Sequence, residues 1–170
     1  MTTHAMIDLE TLDTKPSCQI LSLGAVKFNA LSDQEPHSEL YIKPDIDQQN
    51  DAGRTASDST IEWWSKQDKQ IQEEAFSDAD RIPLQQAMKK LYSFGFGTNN
   101  VWSHGSIFDI VILENICRRL QQAVTWKFWE VRDTRTLFDI AKVDVIVEGK
   151  HNALNDALAQ AKAVQQSYKK

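Results

Sequence analysis

The chain has 170 residues, of which 41% are hydrophobic and 25% charged, the balance of an ordinary globular protein long enough for one domain over residues 1–170 with a sizeable core. No apolar run approaches the ~18 residues that span a membrane, and no basic segment followed by an apolar stretch opens the chain, so neither a membrane segment nor a secretory leader is expected. The net charge is −5, unevenly spread: residues 1–114 carry a balance of −9 and residues 115–170 a balance of +4. Such a chain should not grip long duplex nucleic acid through phosphate contacts alone. Cys18 and Cys117 are isolated and are expected to be reduced and packed, as in a cytoplasmic protein.

In chain order, His4 to Glu10 is predicted as a short strand. Cys18 to Asn29 is a largely apolar run suited to the centre of a sheet. Ser38 to Lys43 is a third strand, closed by Pro44. The polar stretch from Asp45 to Asp58 is expected to be an exposed loop. Ser59-Thr60-Ile61-Glu62 has the spacing of a capping box, with Ser59 at the cap. Pro83 suits the first turn of a helix reaching about Phe94. Asn100 to Ser103 is a short strand, Ile107 to Gln122 an amphipathic helix, Phe128 to Val131 a strand, Thr134 to Lys142 a helix, and Asn152 to Tyr168 the last helix. Three strands followed by helices with short strands between them make an α/β pattern with a mixed sheet.

Four acids and one histidine stand out. Asp8 and Glu10 are two apart on a strand and share a face. Paired carboxylates repel, and a hard divalent cation removes that cost; alone, the pair fits a solvated strand end equally well. Asp109 falls on the apolar stripe of Ile112, Leu113, Ile116 and Leu120, where a carboxylate is costly unless paired or bound to metal. The alternative is a helix that begins later, with Asp109 as its cap. Asp156 lies off the buried stripe of the last helix, near its N-terminal end, where the helix dipole favours an acid. His151 precedes it by five residues, after the loop Glu148-Gly149-Lys150.

Ile7-Asp8-Leu9-Glu10-Thr11, Ser103-His104-Gly105-Ser106-Ile107-Phe108-Asp109 and His151-Asn152-Ala153-Leu154-Asn155-Asp156, in this order and across nearly the whole chain, resemble the DEDDh branch of 3′-5′ exonucleases. Ser59 to Trp64 and Lys127 to Thr136 resemble the phage exonuclease A group and related bacterial exoribonucleases within that branch. The resemblance implies a ribonuclease-H-like fold with a five-stranded mixed sheet flanked by helices. It implies two Mg²⁺ or Mn²⁺ ions on Asp8, Glu10, Asp109 and Asp156, with His151 as general base. The implied substrate is the single-stranded 3′ end of DNA or RNA, leaning to DNA, and the implied product a nucleoside 5′-monophosphate. Many members carry a glycine close after the threonine; here Leu12-Asp13 follow Thr11, so Thr11 and Leu12 are the expected contacts to the terminal nucleotide. Trp64, or Trp63 beside it, is a candidate platform for an unpaired base, the alternative being that Ile61 and Trp64 pack into the core with Trp63 half-covering it. Arg132 and Arg135 are candidate phosphate contacts or partners of nearby acids. His104 is read as structural. A catalytically silent binding module of the same fold and a metal-dependent nucleotide phosphatase remain open, as does the oligomeric state, a homodimer included.

Overall fold

A computed structural model of the chain describes residues 2–169. Among the described residues six strands form one mixed sheet in the order β4-β3-β2-β1-β5-β6. They are β1 (His4–Thr11), β2 (Ile20–Phe28), β3 (His37–Pro44), β4 (Arg81–Ile82), β5 (Asn100–Ser103) and β6 (Val131–Asp133). β2 runs antiparallel to both β1 and β3, whereas β5 is parallel to β1 and β6 parallel to β5. The α/β architecture expected from the sequence is therefore present, with six strands rather than five. The extra strand, β4, is two residues long and has no periodicity to announce it.

The helices are α1 (Ile46–Asp51), α2 (Asp58–Ser65), α3 (Lys69–Phe76), α4 (Leu84–Phe94), α5 (Asp109–Arg119), α6 (Thr134–Ala141) and α7 (Ala153–Ser167). Side chains alternate along β1. Ala5, Ile7 and Leu9 enter a core with Ile112, Leu113 and Ile116 of α5 and with Met88 and Leu91 of α4. Met6 enters a second core with Phe138 of α6 and Ala157, Ala161 and Val164 of α7. Asp8 and Glu10 continue the Met6 face, so β1 delivers its acids to the side covered by α7. Gly24, which pairs with Asp8 across the β1–β2 ladder, permits this cover. A methyl group on Gly24 would collide with the backbone of Ala153 and Leu154 at the start of α7.

Several local expectations change. Residues 45–58 are not one exposed loop: α1 lies within them, capped by Asp45, whose side chain accepts from the Gln48 N–H. Gln49 is fully buried and behaves as an extra stretch of backbone, accepting from the Ile20 N–H at 2.9 Å and donating to the Ile20 carbonyl at 2.9 Å. Arg54 is buried too, donating to the carbonyls of Cys18 and Pro16. The cap of α2 is Ser57 rather than Ser59. Residues 128–130 form a single 3-10 turn closed by Glu130, which accepts from the Lys127 N–H at 2.8 Å, and the strand begins only at Val131. Both cysteines are buried, and burial pushes their thiols up to about 12 (Cys18) and about 11 (Cys117), well away from reactive thiolates. Among the described residues no helix is long and apolar enough to cross a membrane.

Candidate active site

Near its end β1 has a register shift between Glu10 and Thr11, beyond which Thr11 still pairs with Ile20 of β2. Just before that irregularity Asp8 and Glu10 face the first turns of α7. Asn152 caps α7 by accepting from the N–H groups of Leu154 and Asn155. That turn brings Asp156 over the strand. One carboxylate oxygen from each of Asp8, Glu10 and Asp156 lies within 4.8 Å of the others.

Asp109 is the first residue of α5 and only 3% exposed. Phe108 occupies the cap position, so Asp109 is not the cap of a helix that begins later; nearby, the Ser106 N–H donates to Asp133 Oδ2 at 2.6 Å. The expected grouping of four acids thus resolves into a tight three-carboxylate cluster with Asp109 beside it. Asp8 links the two, because among the charges acting on it Asp109 is the strongest and Glu10 the next.

Burial and mutual repulsion disfavour ionisation throughout this group. Burial raises Asp8 well above the usual carboxylate range, and the charges of Asp109, Glu10 and Asp156 add to it, against the hydrogen bond from Gln160. Glu10 is pushed up to about 8 by burial and then by Asp156 and Asp109. Burial lifts Asp109 to about 7, opposed by backbone hydrogen bonding at Leu9 and by Arg135. Asp156 is raised by burial, opposed by the hydrogen bond from the His151 backbone N–H and by the nearby Lys150. These are hard oxygen donors held together at an electrostatic cost, a set that fits a small divalent cation. A softer metal would want sulfur or imidazole donors.

His151 has φ +65°, in the left-handed region that costs a non-glycine residue about 1–2 kcal/mol. That conformation turns its N–H onto Asp156 Oδ2 at 3.0 Å. Its ring stands edge-on to Trp63, with centroids 4.9 Å apart, and farther from Trp64 at 6.3 Å. The histidine is therefore docked on α2 rather than carried loosely by its loop. It lines a cavity of about 210 Å³ together with His104, Val145, Val147, Lys150, Asp156 and Gln160.

The remaining candidates are distributed less favourably. Trp64 is 2% exposed, and its indole N–H donates to the Thr11 carbonyl at 2.9 Å. Leu12 is buried with Trp64, Leu21 and Ala75. The Thr11 hydroxyl donates to the Asp13 carbonyl at 2.9 Å. Trp63, 43% exposed, is the tryptophan with surface to offer. Arg135 lies close enough to the site for its charge to act on Asp109, and its Nε donates to the His104 carbonyl at 3.3 Å. Arg132 is directed elsewhere: it donates to the carbonyls of Trp129 and Val131, and its charge is felt by His4 at the opposite end of β1. His104 bonds to Thr134 Oγ1 at 2.9 Å and stacks on Phe138, yet it also forms part of the cavity wall.

Gln160 escaped the sequence reading. It is 5% exposed on α7, one turn after Asp156, and its Nε2 donates to Asp8 Oδ1 at 2.9 Å. The available signal was its spacing of four from Asp156, which puts both on one side of the helix.

Comparison with known proteins agrees with this geometry. No curated protein matches the chain in sequence. Among solved structures, exonuclease I from Methylocaldum szegediense superposes with a TM-score of 0.73 at 12% identity, over 100% of this chain and 41% of that one. E. coli exonuclease I in complex with a 5cy-dA13 oligonucleotide gives 0.67 at 15% identity, over 100% of this chain and 41% of that one. The chain thus spans about two fifths of the exonuclease I chains. The nuclease domain of 3′hExo, a DEDDh family member bound to rAMP, gives 0.59 at 17% identity, over 98% of this chain and 92% of that one. At these identities the likeness establishes the fold. The family model for the 3′-5′ exoribonuclease Rv2179c-like domain matches residues 3–168, and with the DEDDh residues in their expected order the chain belongs to that family.

Proposed function

We propose that this domain is a 3′-5′ exonuclease that depends on divalent cations and removes nucleoside 5′-monophosphates from the single-stranded 3′ end of RNA, with DNA as a second substrate. The observation that carries the reading is the cluster of Asp8, Glu10 and Asp156, whose ligand oxygens lie within 4.8 Å of one another beside the buried Asp109. In this reading these four acids hold two Mg²⁺ or Mn²⁺ ions. Such ions, when bound, stabilise the attacking and leaving oxygens of an in-line displacement at phosphorus. The protein's own side chains supply the rest. His151, docked on Trp63, takes the proton of the attacking water, and Asp156 secures the histidine's backbone as well as contributing a carboxylate. Arg135 offers a guanidinium for the phosphate backbone. Arg132, which faces the other end of β1, is left with a weaker claim. Trp63 has more surface for a base than Trp64, while Leu12 and Thr11 bound the site as packing and backbone.

The order of the two sugars rests on the family, which is described as an exoribonuclease domain. The DNA leaning taken from the Trp63-Trp64 and Phe128-Trp129 stretches keeps support from exonuclease I, solved with a deoxyadenosine oligonucleotide. Matched RNA and DNA oligonucleotides, labelled at the 5′ end and incubated with Mg²⁺, Mn²⁺ or EDTA, test the whole proposal. It predicts a ladder shortening from the 3′ end, absent in EDTA and faster on RNA. Full activity in EDTA, or cutting of a circular single strand, would overturn it.

A further inference from the structure

The last helix presents a mostly small and apolar face to the sheet, with Ala153, Ala157, Ala161 and Val164 fully buried. Gln160 interrupts that face. Its amide is buried, and it bonds across 152 positions of sequence to Asp8 Oδ1 at 2.9 Å. Its Oε1, also buried, has no hydrogen-bond partner among the described residues. A buried amide satisfied on one side only costs stability, and an apolar residue of similar size would fill the space without that cost. Docking of the helix does not explain the residue. The helix is already seated by the close approach at Gly24 and by Gln165, whose Nε2 donates to the carbonyls of Asn29 at 3.1 Å and Gln34 at 2.8 Å.

We infer that Gln160 is a positioning residue for the cation site: its amide N–H fixes the orientation of the Asp8 carboxylate so that the second oxygen stays available to a divalent ion. The inference rests on the function proposed above. An ionised carboxylate only accepts hydrogen bonds, and one donor aimed at one of its oxygens sets the rotation of the group. Asp8 is where this matters most, because it belongs to the three-carboxylate cluster and also has Asp109 as its strongest charged neighbour. The unpartnered Oε1 is suited to a donor from outside the chain, such as water on a bound cation.

The test is calorimetric titration of the metal-free protein with Mn²⁺, comparing wild type with Gln160→Leu and Gln165→Leu. Outer-sphere partners of metal ligands typically affect affinity by roughly 10–100-fold, and Gln160→Leu should weaken Mn²⁺ binding by that amount. Turnover should drop at limiting Mn²⁺ and recover as Mn²⁺ is raised. Gln165→Leu removes an equally buried amide of the same helix away from the acids; it should lower the melting temperature and leave Mn²⁺ affinity alone. If Gln160→Leu fails to fold, Gln160→Met keeps the length, removes the donor and carries the same comparison. Wild-type affinity in the folded Gln160 variant, or an equal loss in both glutamine variants, overturns the inference while the proposed function stands. Failure of the wild type to take up Mn²⁺ overturns both.

Discussion

The two halves of the site are built in opposite ways. Asp8 and Glu10 sit on β1, a strand paired on both sides and backed by a packed core, so their direction follows from the pleat alone. His151 sits at the end of an irregular segment, on a left-handed backbone conformation, and its ring is placed by Trp63 of a distant helix. Regular structure concentrates the negative charge, and tertiary contact sets the base against it. The strand half should therefore fail chemically when altered and stay folded, whereas the histidine half should respond to residues that never touch the acids.

The largest effect is expected at the strand. Asp8→Asn keeps the shape and the bond from Gln160 but removes one of the crowded charges. Its activity should fall to background in the end-labelled assay, while the melting temperature of the metal-free protein rises above wild type. A combined loss of activity and stability would mean that the acids are not held at an electrostatic cost.

The histidine half comes next. His151→Ala should reduce turnover by roughly 10²–10⁴-fold, the usual contribution of a general base, with Mn²⁺ affinity retained. Trp63→Ala frees the His151 ring while leaving it present. Small misplacements of reacting groups cost up to ~10²-fold, so its loss should lie below that of His151→Ala, with Trp63→Phe restoring part of it. Equal kinetics in Trp63→Ala and wild type would detach the histidine from its tryptophan wall.

The smallest and broadest effect is on stability against pH. Glu10 at about 8 and Asp109 at about 7 lie above their unfolded values of 4.5 and 3.8. Between those limits the folded metal-free protein holds more protons than the unfolded chain, so its stability declines as pH rises from about 4 to about 8. Thermal melts in EDTA should show this slope, and saturating Mg²⁺ should flatten it by binding the ionised carboxylates. A metal-free melting temperature that climbs across the same window would contradict the assigned environment.

The sequence made the apolar and charged patterns visible and hid the polar anchors. β2 followed from its apolar run and α5 from its amphipathic stripe, β1 and α7 were expected beside them, and the acids stood out by their positions on those elements. The helix at Ile46–Asp51 stayed hidden because it is held by Gln49 bonding to strand backbone, a polar contact with no hydropathic trace. Gln160 stayed hidden for the same reason. Phe128 and Trp129 have strand propensity, yet they are exposed in a 3-10 turn, where the bond between Glu130 and the Lys127 N–H decides the local geometry. Trp63 and Trp64 are neighbours with opposite surroundings, and the packing of α2 buries Trp64 while Trp63 stays half exposed, the core-packing alternative for this pair.

The central claim is that Asp8, Glu10, Asp109 and Asp156 form a divalent-cation centre. Its most direct test is a crystal structure of the protein with Mn²⁺, read by anomalous scattering. The account predicts density bounded by the carboxylates of Asp8, Glu10 and Asp156, with Asp109 alongside. Mn²⁺ bound elsewhere, with these carboxylates paired only to one another, would contradict it.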